Sequence, residues 1–277
     1  MKKYRIVEGS KRLIIFLPFL KEGLEFAQKY QYNEIVITSQ PSDSLFGEKY
    51  TLEELRIWTD NQFYIDFSYF PSLIRAEFYD SNLICNINHL INLREVHIYN
   101  LKSKELEEFS NMTNLEKITL WDASSRSLKG LSELKSIRSI NLVRLKNITD
   151  LSCINKLRKL IELNLYSCNK LENINAIIDL KKLKTLRIEK CKYITDLSSI
   201  VPNNSIEFIY ISTLSNLDFI LQMKKLKKIV FHNLLDNDLL PLLESNTLEH
   251  ASFISKKGYA YNEKEINSRL KNIRVTK

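Results

Sequence analysis

Glycine and proline are scarce in this chain of 277 residues, at 5 each. That scarcity excludes collagen-like and linker-rich architectures. It also leaves no glycine-rich loop to bring backbone close to a phosphate, and there is no nucleophile elbow. Cysteine is sparse too, and four in the whole chain do not make a disulfide framework. The longest strongly apolar run is Leu13 to Leu20, eight residues, where a bilayer span needs about 20. The run follows Lys11 and Arg12 as a signal-peptide core would, but it ends in Lys21-Glu22-Gly23 with no small-x-small cleavage pattern. The expectation is a reduced, cytoplasmic protein. Apolar residues at 44% and charged residues at 27% lie near the globular average, so disorder is excluded.

What is present is a repeat. Lys159 to Cys168 reads KLIELNLYSC, and Lys182 to Cys191 reads KLKTLRIEKC. The same frame, apolar at positions 0, +3 and +5, starts at Leu52, Leu73, Leu93, Leu115, Ile137, Leu160, Leu183, Ile206, Leu226 and Leu248, at spacings of 20 to 23 residues. An eleventh copy fits at Tyr32, with Ile35 and Ile37. Sustained self-similarity at this period signals a stack of short units that bury their apolar faces only against neighbours.

These L-x-x-L-x-L units, with second halves such as Ile148-Thr149-Asp150-Leu151 and Ile194-Thr195-Asp196-Leu197, resemble leucine-rich repeats, most of all those of bacterial internalins. The resemblance covers about residues 32–255. It implies an α/β solenoid with a curved parallel sheet of about eleven units and a binding rather than catalytic role. One departure stands out. The family's buried Asn at +8 is replaced by residues such as Leu101, Ala123, Leu145, Cys168 and Cys191, so apolar packing replaces an amide ladder.

Outside the repeats, residues 1–31 read as an N-terminal cap. Tyr4–Val7 and Leu13–Phe16 flank Glu8-Gly9-Ser10 as a β-hairpin, and Leu20, Leu24, Ala27 and Tyr30 have helical spacing. Residues 256–277 read as a C-terminal cap helix. Asn262 and Glu265 form a capping-box-like start, and Ile266, Leu270 and Ile273 share one face.

In a strand, alternate residues face opposite sides. With +3 and +5 in the core, +2, +4 and +6 face the concave surface. The +6 row reads Trp58, Tyr79, Tyr99, Trp121, Val143, Tyr166, Glu189, Ser212, His232, Ile254. Five of its first six members are aromatic, and the rings are expected to stand exposed as partner anchors. The competing explanation is that aromatics suit strands and stack across them for stability. Flanking rows supply Arg56, Arg75, Glu77, His97 and Arg144 as a polar rim that sets orientation.

The formal charge is +8, split as −2 over residues 1–100 and +10 over residues 101–277. Across the concave rows as a whole, acids and bases nearly balance. Part of the basic excess falls just before the strands, at Arg158-Lys159, Lys181-Lys182 and Lys224-Lys225, along one edge. Nucleic-acid grooves combine rings and bases in one place, and here the two are read as separate, which disfavours nucleic acid.

Histidine and cysteine show no metal-ligand spacing. Cys168 and Cys191 occupy equivalent core positions, and no nucleophile stands beside His97. No cofactor, metal, membrane or small-molecule substrate is expected, and the chain is read as a non-enzymatic protein. The function expected is protein binding through the aromatic face. The Lys-, Asn- and Ile-rich composition suggests a bacterium, and the specific reading is an immunity protein that neutralises a toxin of neutral or acidic surface. Two alternatives stand: a nucleic-acid-binding protein using the basic C-terminal edge, and a bacterial effector that binds a host protein.

Overall fold

A computed structural model describes residues 4–6, 12–16, 19–38, 50–57, 65–79 and 84–275. The chain divides into two compact units. Unit 1 comprises residues 1–125 and 129–137, and unit 2 comprises residues 126–128 and 138–277.

Unit 1 contains strands β1 (Tyr4–Ile6), β2 (Arg12–Phe16), β3 (Glu34–Thr38), β4 (Glu54–Ile57), β5 (Ile65–Asp66), β6 (Arg75–Tyr79), β7 (Ile84–Cys85), β8 (Glu95–Tyr99) and β9 (Lys117–Trp121), with helix α1 (Leu20–Lys29). Unit 2 contains β10 (Ser139–Val143), β11 (Glu162–Tyr166), β12 (Thr185–Glu189), β13 (Phe208–Leu214), β14 (Lys228–Leu234) and β15 (His250–Phe253), with helices α2 (Leu240–Glu244) and α3 (Glu263–Val275). In each unit the main-sheet strands are ordered as they are in the chain. β5 and β7 form a separate parallel pair.

The repeat frame predicts the strands closely. From β8 to β12 each strand occupies +2 to +6, and equivalent positions pair in register, as in Leu163↔Leu186 and Leu165↔Ile188. The frame's apolar positions are the core: Leu93, Val96, Ile98, Leu160, Leu163 and Leu183 are fully buried. Each such side chain contributes about 1.5–3 kcal/mol relative to exposure. The +8 row is also inside, with Leu101, Ala123, Leu145, Cys168 and Cys191 buried, so apolar packing does replace the amide ladder. The thiols of Cys168 and Cys191 point at strand carbonyls 3.6–3.8 Å away. The Cys191 contact and burial together push the Cys168 thiol above its ordinary range.

The turn out of the strand has a fixed chemistry. Asn100, Asp122, Arg144, Ser167 and Lys190 all sit at +7 with φ between 53° and 59°, in the left-handed region. The N–H of Asn100, Arg144 and Ser167 then donates to the next repeat's +6 carbonyl, for example Arg144 N to Tyr166 O at 2.7 Å, whereas that of Lys190 donates to Ser212 Oγ at 3.0 Å. The Asp of the I-T-D-L motif also has a local role. Asp150 Oδ1 accepts from Ser152 N, and Asp196 Oδ1 from Ser198 N, both at 2.8 Å. Each opens the short 3-10 return turn that follows, as Asx turns do.

The ends add one strand to the expectation. β1 and β2 pair antiparallel, as the hairpin reading requires, but β2 also pairs parallel with β3, Leu13 opposite Ile35 and Ile15 opposite Ile37. Among the described residues, six main-sheet strands of unit 1 and six of unit 2 therefore pair in parallel, one more than the eleven expected. The frame misses β2 because its position 0 is Ser10, a polar residue. At the other end, α3 begins with the expected capping box: Asn262 N donates to Glu265 Oε2 at 2.8 Å, and Glu265 N to Asn262 Oδ1 at 3.0 Å. Ile266 and Leu270 are buried. Asn267 faces the last strand, accepting from Ala251 N at 3.0 Å and donating to Ala251 O at 2.7 Å, while Glu263 accepts from Phe253 N at 3.3 Å.

Candidate functional site

In unit 1 the sheet face opposite the core carries the expected rings. Tyr79, Tyr99 and Trp121 pair across β6, β8 and β9 in register. Tyr79 and Tyr99 stack with centroids 4.7 Å apart and 23° between planes, and Tyr99 lies 5.8 Å from Trp121 at 30°. The neighbour spacing of a sheet, about 4.8 Å, is the stacking distance of rings, so each ring covers part of the next. The three are therefore half-buried rather than fully exposed. The expectation of standing, exposed rings is corrected to a row of three half-buried rings in contact. Trp58 lies outside the described residues.

Beside the stack is an ion-paired cluster. Glu54 is buried and holds two guanidinium groups: Arg56 Nε at 2.6 Å and Arg75 Nε at 2.8 Å. The hydrogen bond to Glu54, working against burial, raises the Arg75 pKa further. Arg56 also lies 3.8 Å from Glu77, which accepts a 3.0 Å hydrogen bond from the Tyr99 hydroxyl. Burial and the Glu77 charge push the Tyr99 phenol up to about 12. Glu95 is 2.9 Å from His97 Nε2 and 2.7 Å from Lys117 Nζ. Together Glu54, Arg56, Arg75, Glu77, Glu95 and His97 line a cavity of about 160 Å³. Arg56, Arg75, Glu77 and His97 are thus brought together with three of the rings.

Burial pushes the Glu95 carboxyl up, but the hydrogen bonds from Lys117 and His97 outweigh it and hold the group below its ordinary range. A carboxyl depressed in the folded state stabilises the fold above its unfolded pKa of about 4.3. That contribution is lost as pH falls through the folded value. Glu95→Gln is expected to lower stability at about pH 6 and to flatten the loss on acidification towards about pH 3, read by urea denaturation. An acid limb as steep as that of the unaltered protein would assign the effect to another carboxyl.

Tyr166 and Arg144 lie in unit 2, in different surroundings. Arg144 is exposed in a left-handed turn. Tyr166 is half-buried, with Lys190 Nζ 2.8 Å from its hydroxyl and 5.0 Å from its ring centre. Two rings not singled out by the +6 row also face this side. Phe208 at +2 lies under Arg187 at 5.0 Å, and Tyr210 at +4 hydrogen-bonds His232 at 3.0 Å. The +2 and +4 rows of β13 carry the signal that reveals them. Among the described residues no group of three or more His, Cys, Asp or Glu could hold a metal, and no helix is long and apolar enough to cross a membrane.

The model of Zer-1-like leucine-rich repeats matches residues 128–198. No curated protein sequence matches the chain. Among solved structures, an internalin (InlF) of Listeria monocytogenes shares 19% identity at a TM-score of 0.55, over 86% of this chain and 65% of that one. A leucine-rich-repeat protein of Leptospira interrogans shares 22% at 0.56, over 74% and 54%. TLR13, solved in complex with ssRNA13, shares 16% at 0.59, over 93% and 40%. The chain thus spans less than two thirds of the length of each. Fold and repeat agree: the chain adopts the leucine-rich-repeat solenoid fold, and its repeats are similar to those of the internalin. That scaffold fits a protein-interaction role, and proteins built on it are generally non-enzymatic.

Proposed function

We propose that unit 1 docks a partner protein on the open face of its sheet. The observation that carries this reading is the Tyr79–Tyr99–Trp121 stack with a cluster of charged side chains held beside it by mutual ion pairs. Pre-stacked rings lose little side-chain freedom on binding, and a rim of fixed charges selects the approach of a partner. Trp58 is assigned to the same surface on the repeat frame, while Tyr166 and Arg144 are not required for it. The specific role we assign is neutralisation of a bacterial toxin, as an immunity protein does. The described residues of this face carry acids Glu34, Glu54, Glu77, Glu95 and Asp122 against bases Arg56, Arg75 and Lys117, a net of −2. The chain-wide +8 is therefore no barrier to a basic partner here.

The test is capture from native lysate with nuclease added, using the unaltered protein beside the Tyr79→Ala/Tyr99→Ala/Trp121→Ala variant. The expected result is one protein retained by the first and lost at least tenfold by the second, with the variant still folded in a thermal melt. Equal retention by both would refute the face as the docking site.

A further inference from the structure

The near balance of charge over the sheet face conceals an opposition between the units. Unit 2 holds 25 Lys+Arg and 14 Asp+Glu, a net of +11, which leaves −3 for unit 1. On the open face of unit 2 the bases Arg144, Arg187, Lys190 and Lys228 exceed the acids Glu162 and Glu189. The rings Tyr166, Phe208 and Tyr210 lie among those bases, so the separation of rings from bases inferred from the sequence does not hold within this unit.

A break in the repeat adds a cavity. β12 turns out of the sheet at Lys190 in the left-handed conformation, whereas β13 runs on through Thr213 to Leu214. Between the two paths lies a cavity of about 270 Å³. Its polar lining is Lys190, Lys192, Thr195, Ser212 and Thr213, with no carboxylate, over a floor of Ile188, Ile194, Ile211 and Cys191. Ser212 Oγ already accepts the Lys190 N–H at 3.0 Å, which fixes the rim. Glu189, 4.0 Å from Lys190 Nζ, and Asp196, next to Thr195, adjoin the lining without being part of it. Lys190 Nζ is also on the Tyr166 hydroxyl at 2.8 Å, Lys192 Nζ is 5.2 Å from the Tyr193 ring centre, and Thr195 Oγ1 accepts from Ser215 at 2.9 Å. Two lysines and three hydroxyl residues lining a space of this size suit a phosphate group. Tyr166 stands against Lys190, and Tyr210 lies two residues before Ser212 on the same face.

We propose that the open face of unit 2 binds single-stranded nucleic acid, with a backbone phosphate at the Lys190–Lys192 cavity and flanking bases on Tyr166 and Tyr210. Stacking platforms beside a basic track are the general solution for single strands, tolerant of sequence because every base has a π-face. Arg187 and Lys228, both over the Phe208 ring, continue the track towards the start of the strands. The proposal concerns unit 2 alone and does not depend on the protein-docking role of unit 1.

The test is fluorescence anisotropy of a labelled single-stranded oligouridylate of about twelve nucleotides, within the usual site sizes, titrated with the full chain over a range of salt. Binding should weaken with salt, with a log–log slope of about −0.7 for each phosphate neutralised, so at least about −1.4 for two lysines. Lys190→Gln/Lys192→Gln, at two exposed positions, should remove that part of the slope and weaken binding at least tenfold. Tyr210→Ala should weaken it roughly 5- to 150-fold, the range of one base–ring stack. The triple alanine variant of unit 1 should bind like the unaltered protein. Absence of salt-sensitive binding, or unaltered binding by both unit 2 variants, would overturn the proposal. Equal competition by polyglutamate would overturn it in favour of an acidic protein segment.

Discussion

Gly130→Ala is expected to destabilise the protein by more than about 3 kcal/mol, beyond the usual 1–3 kcal/mol of overpacking. Gly130 lies in the 3-10 turn Lys129–Leu131, and its N–H donates to Glu105 O at 2.7 Å. That hydrogen bond draws the turn directly onto the backbone of the preceding return segment. A Cβ at Gly130 would sit 1.7 Å from the Leu106 carbonyl oxygen and 2.1 Å from its carbon. Leu106 cannot yield easily, because it is fully buried, held at φ 62°, and its N–H donates to Ser103 Oγ at 2.9 Å. The obstruction is backbone, not a flexible side chain, so relief requires separating two units of the stack. Gly258→Ala is the control. Gly258 is also conformationally special, with φ +100°, but a Cβ there meets nothing closer than 3.9 Å. Its cost should be only the roughly 1–2 kcal/mol of a left-handed residue with a side chain. A thermal melt placing Gly130→Ala at or above Gly258→Ala would refute the assignment.

Asn203→Ala should cost about 2–4 kcal/mol, the sum of three net hydrogen bonds and a small void. Asn203 is fully buried between the turn Ser198–Ile200 and β13. Its amide donates to Ile177 O at 2.6 Å and Leu180 O at 3.1 Å in the preceding unit, and its Oδ1 accepts from Ser205 N at 2.9 Å. This one side chain therefore ties one return segment to the next where leucine and isoleucine cannot satisfy the backbone. The exposed neighbour Asn204→Ala should stay within about 0.5 kcal/mol. Chemical denaturation that finds the two variants equal would remove Asn203 from the list of structural residues.

These two positions mark the limit of what the sequence discloses. The strands were legible because an apolar period of 20 to 23 residues is a direct image of stacking, and every residue pair from Ser139↔Glu162 to Tyr166↔Glu189 obeys it. The rings of unit 1 were legible for the same reason, since period two assigns a face. What the frame does not encode is contact between backbones. Nothing in the spacing of Gly130 shows that Leu106 lies beneath it. Asn203 reads as one more loop asparagine until its carbonyl partners are in view. The cavity at Lys190 is a third case. It exists because Thr213, a β-branched residue that disfavours positive φ, keeps an extended conformation at +7, unlike Lys190. Charge was misleading for a different reason, because a balance taken over the whole face averages two units of opposite sign.

The amide of Asn267 has a consequence for how such a protein can lengthen. An unpaired last strand is a template, open to another chain or to a newly duplicated repeat. Here Asn267 occupies both the donor and the acceptor of Ala251, and Glu263 takes the N–H of Phe253. A unit inserted after β15 would have to expel α3 before it could pair, whereas a unit duplicated among β10–β14 would find the same register on both sides. A repeat added to this array is therefore accommodated among β10–β14 and not against β15, whose edge is already occupied by α3.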